Sequence, residues 1–293
     1  MIETAAGIGN VNPDYVVIGH VTRDVVPDGY VVGGTVTYAG LTAAALGRTV
    51  GVVTSAGPEL DVRVALPGLT CLVKPAAATT TFENVYCDGQ RTQWIRAIAG
   101  PLGPELIPNA WRSVPIVHLA PLDNEIGADI LGALLHVDLV GVTPQGWMRQ
   151  WDDAGIVRPR RWDEANVILP AVGAAILSEE DVGRDWDVLR RFASLVPILA
   201  VTQGANGCTV FENGKGWHVP AFPAVEVDAT GAGDVFAAAF LIRLSENGSP
   251  ISAAHYANCV ASFAVEAPGA SGIPSAEQVH TRLKDDRPVV AIV

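Results

Sequence analysis

Basic residues are scarce in this sequence. Its 293 residues include 19 Lys and Arg against 31 Asp and Glu, so the net charge is −12. An acidic chain repels the phosphates of nucleic acids, and we expect no nucleic-acid partner. Only a local basic pocket could bind a phosphate group.

Long hydrophobic runs and targeting signals are absent as well. Near the C-terminal third the longest strongly apolar run, Val235–Ile242, is far shorter than the roughly 18–20 residues that span a bilayer. Residues 1–15 contain neither the basic nor the hydrophobic region of a secretion signal. These absences predict a cytoplasmic protein without a membrane partner.

Cysteine is also rare. Cys71, Cys87, Cys208 and Cys259 are widely separated, form no C-x-x-C pair and lie in or beside apolar stretches. We therefore expect reduced cysteines in the core. The six His form no H-x-x-x-H pair and no cluster with Cys, which argues against a dedicated zinc or iron site.

Hydrophobic residues, by contrast, make up 49% of the chain and follow a recurrent pattern. Short β-branched runs predict strands at Tyr15–Gly19, Val50–Thr54, Ile116–Leu119, Val137–Val142, Val167–Leu169 and Pro197–Thr202. Helical spacing predicts helices at Thr35–Leu46, Asn124–Leu135, Trp186–Leu195, Asp234–Leu244, Ile251–Val265 and Ser275–Leu283. This alternation indicates one α/β domain over residues 1–293, built on a parallel sheet.

Two segments depart from the alternation. Residues 29–32 form one of them, and residues 79–98 form the other, with polar and apolar residues alternating around the hairpin signal Asp88-Gly89. We expect an antiparallel flap from about residues 25–36 and 77–100. Such a flap either closes over a substrate or is a surface hairpin without a role.

The segment Val225–Leu244 carries the strongest chemical signal. Small residues Ala229–Gly233 precede Asp234 and an apolar helix, which brings backbone N–H groups and a helix N-terminus to one place. This arrangement predicts an anion hole with a carboxylate that takes a proton from an attacking hydroxyl. These residues alone leave two alternatives open. Asp or Thr could simply cap the helix, or the glycines could form a dinucleotide-binding loop.

The stretch DATGAGDVFAAAF, residues 228–240, resembles the signature D-T-x-G-A-G-D-x-F of the ribokinase/PfkB family of carbohydrate kinases. Four further segments resemble family segments in the same order: Val16–Asp24, Val31–Gly40, Val201–Phe211 and Tyr256–Ala270. The resemblance implies a ribokinase-like three-layer α/β/α core with a mostly parallel sheet and a small inserted β lid. It also implies an ATP-dependent kinase that acts on a hydroxyl of a small sugar or cyclic polyol.

The resemblance also implies roles for individual residues. Asp234 would be the catalytic base, while Gly231, Ala232 and Gly233 would bind the transferred phosphoryl group. We expect the helix N-terminus to lower the pKa of Asp234. The residues expected to bind ATP are Thr202, Gly204, Gly207, Thr230 and Asn258. Asp181 is a candidate to hold Mg²⁺ through water, and Asp228 a candidate to hold a monovalent cation such as K⁺.

The acceptor side departs from the family pattern. The residues expected to bind substrate are Asp24, Gly33, Gly34, Thr37, Gln145 and Arg149. Thr37 takes the place of the family's Asn, and Ser178-x-x-Asp181 takes the place of its N-x-x-E. Both replacements are similar to the myo-inositol kinase branch, so a cyclic polyol or sugar ranks before a nucleoside.

Several alternatives stay open at this point. Arg149 could be a surface residue, Asn258 a polar core residue, and the cluster at Ser178–Asp181 a solvated helix start. The protein could also be a nucleoside kinase, or a catalytically idle regulator that binds nucleotide or sugar. Exposed lid edges would favour a homodimer.

Overall fold

The computed structural model describes residues 12–87, 90–284 and 290–291. The predicted turn at Asp88-Gly89 and the side chain of Cys87 lie outside this description. The described strands are β1 (Tyr15–Ile18), β2 (Thr22–Val26), β3 (Gly29–Gly33), β4 (Val50–Ala56), β5 (Thr70–Pro75), β6 (Thr80–Cys87), β7 (Gln90–Ala97), β8 (Ile116–Leu119), β9 (Leu139–Val142), β10 (Arg149–Trp151), β11 (Val157–Pro159), β12 (Ala174–Ser178), β13 (Ile198–Thr202), β14 (Cys208–Glu212), β15 (Lys215–Val219) and β16 (Val290–Ala291). The described α-helices are α1 (Thr35–Ala45), α2 (Val62–Ala65), α3 (Ala165–Ile168), α4 (Trp186–Ala193), α5 (Ala232–Asn247), α6 (Pro250–Ala264) and α7 (Ala276–Arg282).

One large sheet runs through the centre of the protein. Its strands lie in the order β16-β15-β14-β13-β12-β9-β8-β1-β4-β5. The pairs from β13 to β5 are parallel, whereas β14, β15 and β16 extend the sheet with antiparallel pairs. The mostly parallel sheet predicted from the sequence is therefore confirmed.

Helices cover both faces of this sheet. Along β1, Tyr15 and Val17 contribute to a core that contains α1, α5 and α6, whereas Val16 and Ile18 contribute to a core that contains α3 and α4. Successive side chains of a strand point to opposite faces, so a strand buried on both faces is apolar at every position. The result is three layers with two hydrophobic cores.

Two predicted elements differ in the structure. Val167–Leu169 is not a strand, because this segment lies in α3 and the 3₁₀ turn that follows, with Val167 exposed and Ile168 and Leu169 buried. Asn124–Leu135 is not an α-helix and contains only a 3₁₀ helix at Ala128–Ala133. Its two glycines disfavour a longer helix, and Asn124 has a left-handed backbone with φ of 66°.

A second, four-stranded sheet, here called the small sheet, lies in the order β3-β2-β6-β7. It begins at Thr22, slightly before the predicted boundary. A hairpin of β10 and β11 extends it, because the N–H of Ile95 donates to the carbonyl of Gly155 at 2.8 Å. The sequence interpretation missed this hairpin, although the segment D-D-A-G between Trp151 and Ile156 is a turn signal.

Two further observations concern the cysteines and the helices of the described residues. Cys71, Cys208 and Cys259 are buried free thiols. Within residues 12–87, 90–284 and 290–291, every helix is too short or too polar to cross a membrane.

Candidate active site

The loop before α5 is shaped as an anion hole. Gly231 has a left-handed backbone with φ of 78°, and the Tyr38 ring lies directly against it, where a Cβ would overlap the ring. The N–H groups of the first helical turn have no partner within the helix, and they carry the positive end of the helix dipole. The N–H of Ala232 donates to the carbonyl of Ala229 at 3.2 Å, so Gly231 and Gly233 are the residues that can offer N–H donors here. Anion binding by Gly231, Ala232 and Gly233 remains a prediction.

Asp228 holds this loop in place. Its carboxylate accepts the N–H of Thr230 and the N–H of Gly269, both at 2.9 Å. Burial raises its pKa, but a hydrogen bond with the Thr230 side chain and the two backbone bonds outweigh burial and lower it. Asp228 thus contacts Thr230 and Gly269, and its role toward a monovalent cation remains a prediction.

Asp234 lies in the first turn of α5. The Thr35 hydroxyl, at the start of α1, donates to its Oδ1 at 2.8 Å. Sequence reasoning missed Thr35, although it directly follows the glycine pair that was singled out. The bond fixes the orientation of the carboxylate.

Burial raises the pKa of Asp234 to about 6. The Thr35 hydrogen bond and the positive charge of Arg149 oppose this rise, whereas the charges of Asp181 and Asp24 add to it. The expected lowering of this pKa is therefore wrong, because loss of water around the carboxylate outweighs the helix dipole. A carboxylate with a pKa near 6 is a competent general base at neutral pH.

Asp24 and Arg149 face Asp234 from the acceptor side. Both are half-buried, and both act electrostatically on Asp234. The Asp24 carboxylate lies so close to Gly33 that a Cβ on this glycine would overlap it. Arg149 lies 5.9 Å from the ring centre of Phe82 in the small sheet. The structure thus brings together the predicted substrate residues Asp24, Gly33 and Arg149.

Thr37 contributes to the start of α1. Its side chain is buried, and its hydroxyl donates to the carbonyl of Gly33 at 2.6 Å. Its contact with substrate remains a prediction. Gly34 has φ of 87° and lies against the His20 carbonyl, so it too serves the backbone turn.

Gln145 and Asp181 contact each other. The Gln145 side-chain amide donates to Asp181 Oδ1 at 3.1 Å, and the N–H of Ser178 donates to Asp181 Oδ2 at 2.9 Å. Sequence reasoning had assigned the first residue to the substrate and the second to magnesium. The structure joins them in one network behind the anion hole.

A cavity of about 730 Å³ opens beside the anion hole. Ala232 and Gly233 form its inner end, and Phe222, Ala261 and Val265 form an apolar wall. Its one basic lining residue among the described residues is Arg184, whose guanidinium lies 3.5 Å from Glu179 and 3.2 Å from Glu180. This is a site for a ligand with one apolar and one anionic part.

Most of the predicted ATP-binding residues line this cavity: Thr202, Gly204, Gly207 and Asn258. Gly207 has φ of 88° and lies against the Val219 carbonyl. The Asn258 amide nitrogen donates to the carbonyls of Val219 and Pro220 at 3.0 and 3.1 Å. Asn258 therefore lines the cavity and also holds the backbone of Val219 and Pro220 in place. Thr230 is exposed in the loop before the anion hole.

The acidic residues around the anion hole fit a magnesium ion held through water. Asp181 is near enough to Asp234 to affect its pKa, and Glu179 lines the cavity. Mg²⁺ prefers oxygen ligands and keeps several water molecules. Since both Asp181 oxygens accept hydrogen bonds, we expect Asp181 to contact such an ion through water.

Comparison with known proteins finds similar sequences among carbohydrate kinases. Residues 174–277 match the sequence profile of the pfkB family carbohydrate kinases. Ribokinase of Bacillus subtilis (strain 168) is 38% identical over 86 residues, which are 29% of this chain and 29% of that protein. Inositol 3-kinase of Arabidopsis thaliana is 27% identical over 208 residues, which are 67% of this chain and 57% of that protein. In both cases the match spans less than two thirds of the relative.

Solved structures agree on the fold. A pyrophosphate-dependent kinase in the ribokinase family, solved as a sulfate complex, superposes with a TM-score of 0.78 at 23% identity, and the match covers 92% of this chain and 100% of that one. The profile match over residues 174–277 confirms the predicted resemblance to the ribokinase/PfkB family, and the solved structure confirms the three-layer α/β/α fold.

Proposed function

We propose that this protein is an ATP- and Mg²⁺-dependent kinase that phosphorylates a hydroxyl group of a small polyhydroxylated molecule. The observation that carries the proposal is the position of Asp234. Asp234 lies in the first turn of α5, next to Ala232 and Gly233, which line the cavity. Asp24 and Arg149 do not line the cavity but are close enough to Asp234 to affect its pKa. A base between a donor site and an acceptor site is what phosphoryl transfer requires.

The proposed reaction follows from these positions. The acceptor oxygen attacks the γ-phosphorus, the bond from that phosphorus to the β–γ bridging oxygen breaks, and ADP leaves with the electron pair. The hydroxyl proton moves to Asp234, and we assign it to Oδ2 because Thr35 binds Oδ1. The N–H groups of the anion hole stabilise the transferred group. Bound Mg²⁺ supplies positive charge to the phosphates.

The cavity favours ATP over pyrophosphate as the donor. Pyrophosphate would leave the apolar wall of Phe222, Ala261 and Val265 uncovered, whereas a nucleoside would cover it. A pyrophosphate site also needs cationic side chains, and the guanidinium of Arg184 already lies beside two glutamates. We therefore assign the cavity to the nucleoside of ATP, in contrast to the pyrophosphate-dependent relative.

The acceptor side favours a compact polyol. The Asp24 carboxylate can accept hydrogen bonds from two neighbouring hydroxyls of one acceptor. The match to an inositol 3-kinase makes a cyclitol the first acceptor to test. Sugars come next, and nucleosides are the alternative class.

Association through the small sheet is part of the proposal. The strand register places Val25, Tyr30 and Val85 on one face of this sheet, and each exposes 39–40% of its surface. A second copy would cover this face and the free edge of β3. Light scattering on a gel-filtration column should give the mass of a dimer, and Val25→Lys should shift it toward the monomer.

The decisive experiment measures product formation with two donors. Wild-type protein and the Asp234→Asn variant are incubated with Mg-ATP or with pyrophosphate, against inositols, pentoses, hexoses and nucleosides. We expect phosphorylated acceptor with ATP, and a loss in the variant on the order of 10²–10⁴-fold, with ATP binding retained. Turnover with pyrophosphate alone would overturn the donor assignment. ATP binding without turnover of any acceptor would favour an idle regulator.

A further inference from the structure

A buried ionic cluster lies at the base of the small sheet, away from the reacting groups. His20 follows β1 and has no exposed surface. Its Nδ1 lies 3.1 Å from Asp123 Oδ2, and its Nε2 lies 2.8 Å from the carbonyl of Gly100. Nδ1 also lies 2.9 Å from the Thr80 hydroxyl, which itself donates to Asp123 Oδ2. Because Nδ1 lies against a carboxylate and Nε2 against a carbonyl, we assign a proton to each ring nitrogen. His20 is an imidazolium paired with a carboxylate.

This charge state has a physical basis. Burial lowers the pKa of His20, but the hydrogen bond to Asp123 and the charges of Glu125 and Asp123 outweigh burial and raise it to about 9. The same hydrogen bond lowers the pKa of Asp123 against the effect of burial. The pair is thus ionised at neutral pH.

The three side chains are close enough to suggest a metal site, but their contacts argue for the ion pair. Glu125 accepts the backbone N–H groups of His20, Leu122 and Asp123 at 2.9–3.0 Å. These donors occupy its oxygens and orient it away from a ligand role. The imidazolium of His20 therefore supplies the positive charge that a metal ion would otherwise bring to Asp123 and Glu125.

The cluster contacts the first residue of β6 and the residues just after β7. These two paired strands of the small sheet are here called the β6–β7 arm. Thr80 is the first residue of β6, and its hydroxyl donates to Asp123 Oδ2 at 2.9 Å. The same hydroxyl accepts the N–H of Ala99, just after β7, and His20 binds the next carbonyl, that of Gly100. The β6–β7 arm is therefore tied at both ends to the central sheet.

This arm carries parts of the acceptor side. β6 pairs with β2 in a register that sets Thr80 opposite Thr22 and Phe82 opposite Asp24. Phe82 in turn faces Arg149. A movement of Thr80 would therefore displace Phe82 directly and Asp24 through the strand pair.

We propose that His20, together with Asp123 and Thr80, is a positioning residue that holds the base of the small sheet so that the sheet closes over the acceptor and excludes water. The proposal rests on the kinase function proposed above. A loosened base would admit water to the γ-phosphate, and ATP hydrolysis would compete with transfer.

The test compares His20→Gln and Thr80→Val with Thr80→Ser, which keeps the hydroxyl. The readouts are ADP formed per phosphorylated acceptor, the KM of acceptor and of ATP, and the melting temperature. For the first two variants we expect more ADP per product and an acceptor KM higher on the order of tenfold, with the KM of ATP unchanged. Thr80→Ser should resemble the wild type. An unchanged ADP-to-product ratio in a folded Thr80→Val variant would overturn the proposal.

Hydrogen exchange separates this proposal from the kinase proposal, because it needs no substrate. Peptides from residues 80–97 should exchange faster in His20→Gln and Thr80→Val, while peptides from residues 198–219 should not change. Equal acceleration in both regions would indicate general destabilisation and overturn the positioning role. If the wild-type protein shows no kinase activity, the proposed kinase function is overturned. The exchange pattern would still show whether His20 and Thr80 hold the β6–β7 arm in place. If His20→Gln does not fold, the ADP-to-product ratio and the hydrogen exchange are both measured on Thr80→Val.

Discussion

Thr35 and Asp234 form a hydrogen bond of 2.8 Å although 199 positions separate them in the chain. The bond joins the start of α1 to the start of α5. Each helix start is set by its own glycine turn, at Gly34 and at Gly231. The orientation of the proposed base therefore depends on two loops that fold independently and meet only in the tertiary structure.

The Thr35 bond predicts a shift in the pH profile. The base must be ionised, so kcat/KM should rise with pH through the Asp234 pKa of about 6. Thr35→Val removes a bond that lowers this pKa, so the rising limb should move to higher pH. Thr35→Ser keeps the bond and should retain the wild-type limb. The measurement is kcat/KM from pH 5 to 8, and coincident limbs for Thr35→Val and wild type would contradict the prediction.

The Gly231 turn predicts different effects for two neighbouring glycines. Gly231→Ala should cost about 1–2 kcal/mol of stability from its left-handed backbone, and more from overlap with Tyr38. Gly233→Ala meets nothing within 4 Å and should keep the wild-type melting temperature. Because Gly233 lines the cavity, the added methyl group should instead raise the KM of ATP. Thermal unfolding and ATP kinetics check both; equal melting temperatures for the two variants would count against the turn geometry.

The cavity wall predicts a way to separate nucleoside binding from phosphate binding. Ala261→Phe would fill the space assigned to the nucleoside without touching the anion hole. We expect a KM for ATP raised on the order of tenfold or more, with the melting temperature and the acceptor KM close to wild type. Calorimetry with ATP gives the direct measurement. Undiminished ATP affinity would show that the nucleoside lies elsewhere.

His20 predicts a pH dependence of stability. Its folded pKa of about 9 lies above the ordinary 6.5, so its stabilising effect is complete below pH 6.5 and is lost as pH rises through 9. The free energy of unfolding should therefore fall between pH 6.5 and 9. Burial raises the pKa of Glu125 to about 7, and the charge of His20 opposes this rise, so the lower part of this range reports both groups. His20→Gln should flatten the slope between pH 8 and 9, and the difference between the two proteins separates His20 from the thiols and tyrosines that titrate at higher pH. Parallel slopes would rule out the imidazolium.

The sequence predicts the anion hole because all of its proposed parts are contiguous. The run from Asp228 to Asp234 contains the loop, the glycines and the carboxylate, and each acts over a few residues. The parallel sheet was predictable for a similar reason, since strands buried on both faces are apolar throughout. Val167–Leu169 failed as a strand because a three-residue apolar run fits a buried helix equally well.

The acceptor side was predictable only in part. Asp24 and Arg149 reach the site, but the hydroxyl of Thr37 turns to its own helix start and Gln145 binds Asp181. Each of these residues lies on the correct segment. The direction of a side chain depends on neighbours from other segments, and those neighbours cannot be read from spacing.

The sequence by itself determined the local structure of this protein: the left-handed glycines, the helix that starts at the anion hole, and the strands of the central sheet. These follow from backbone sterics and from hydrophobic periodicity, which act over a few residues. Only the tertiary structure decided the partner of Asp234, the upward direction of its pKa shift and the pairing of His20 with Asp123. Burial and ion pairing depend on segments up to about two hundred residues apart in the chain, and only packing brings those segments together.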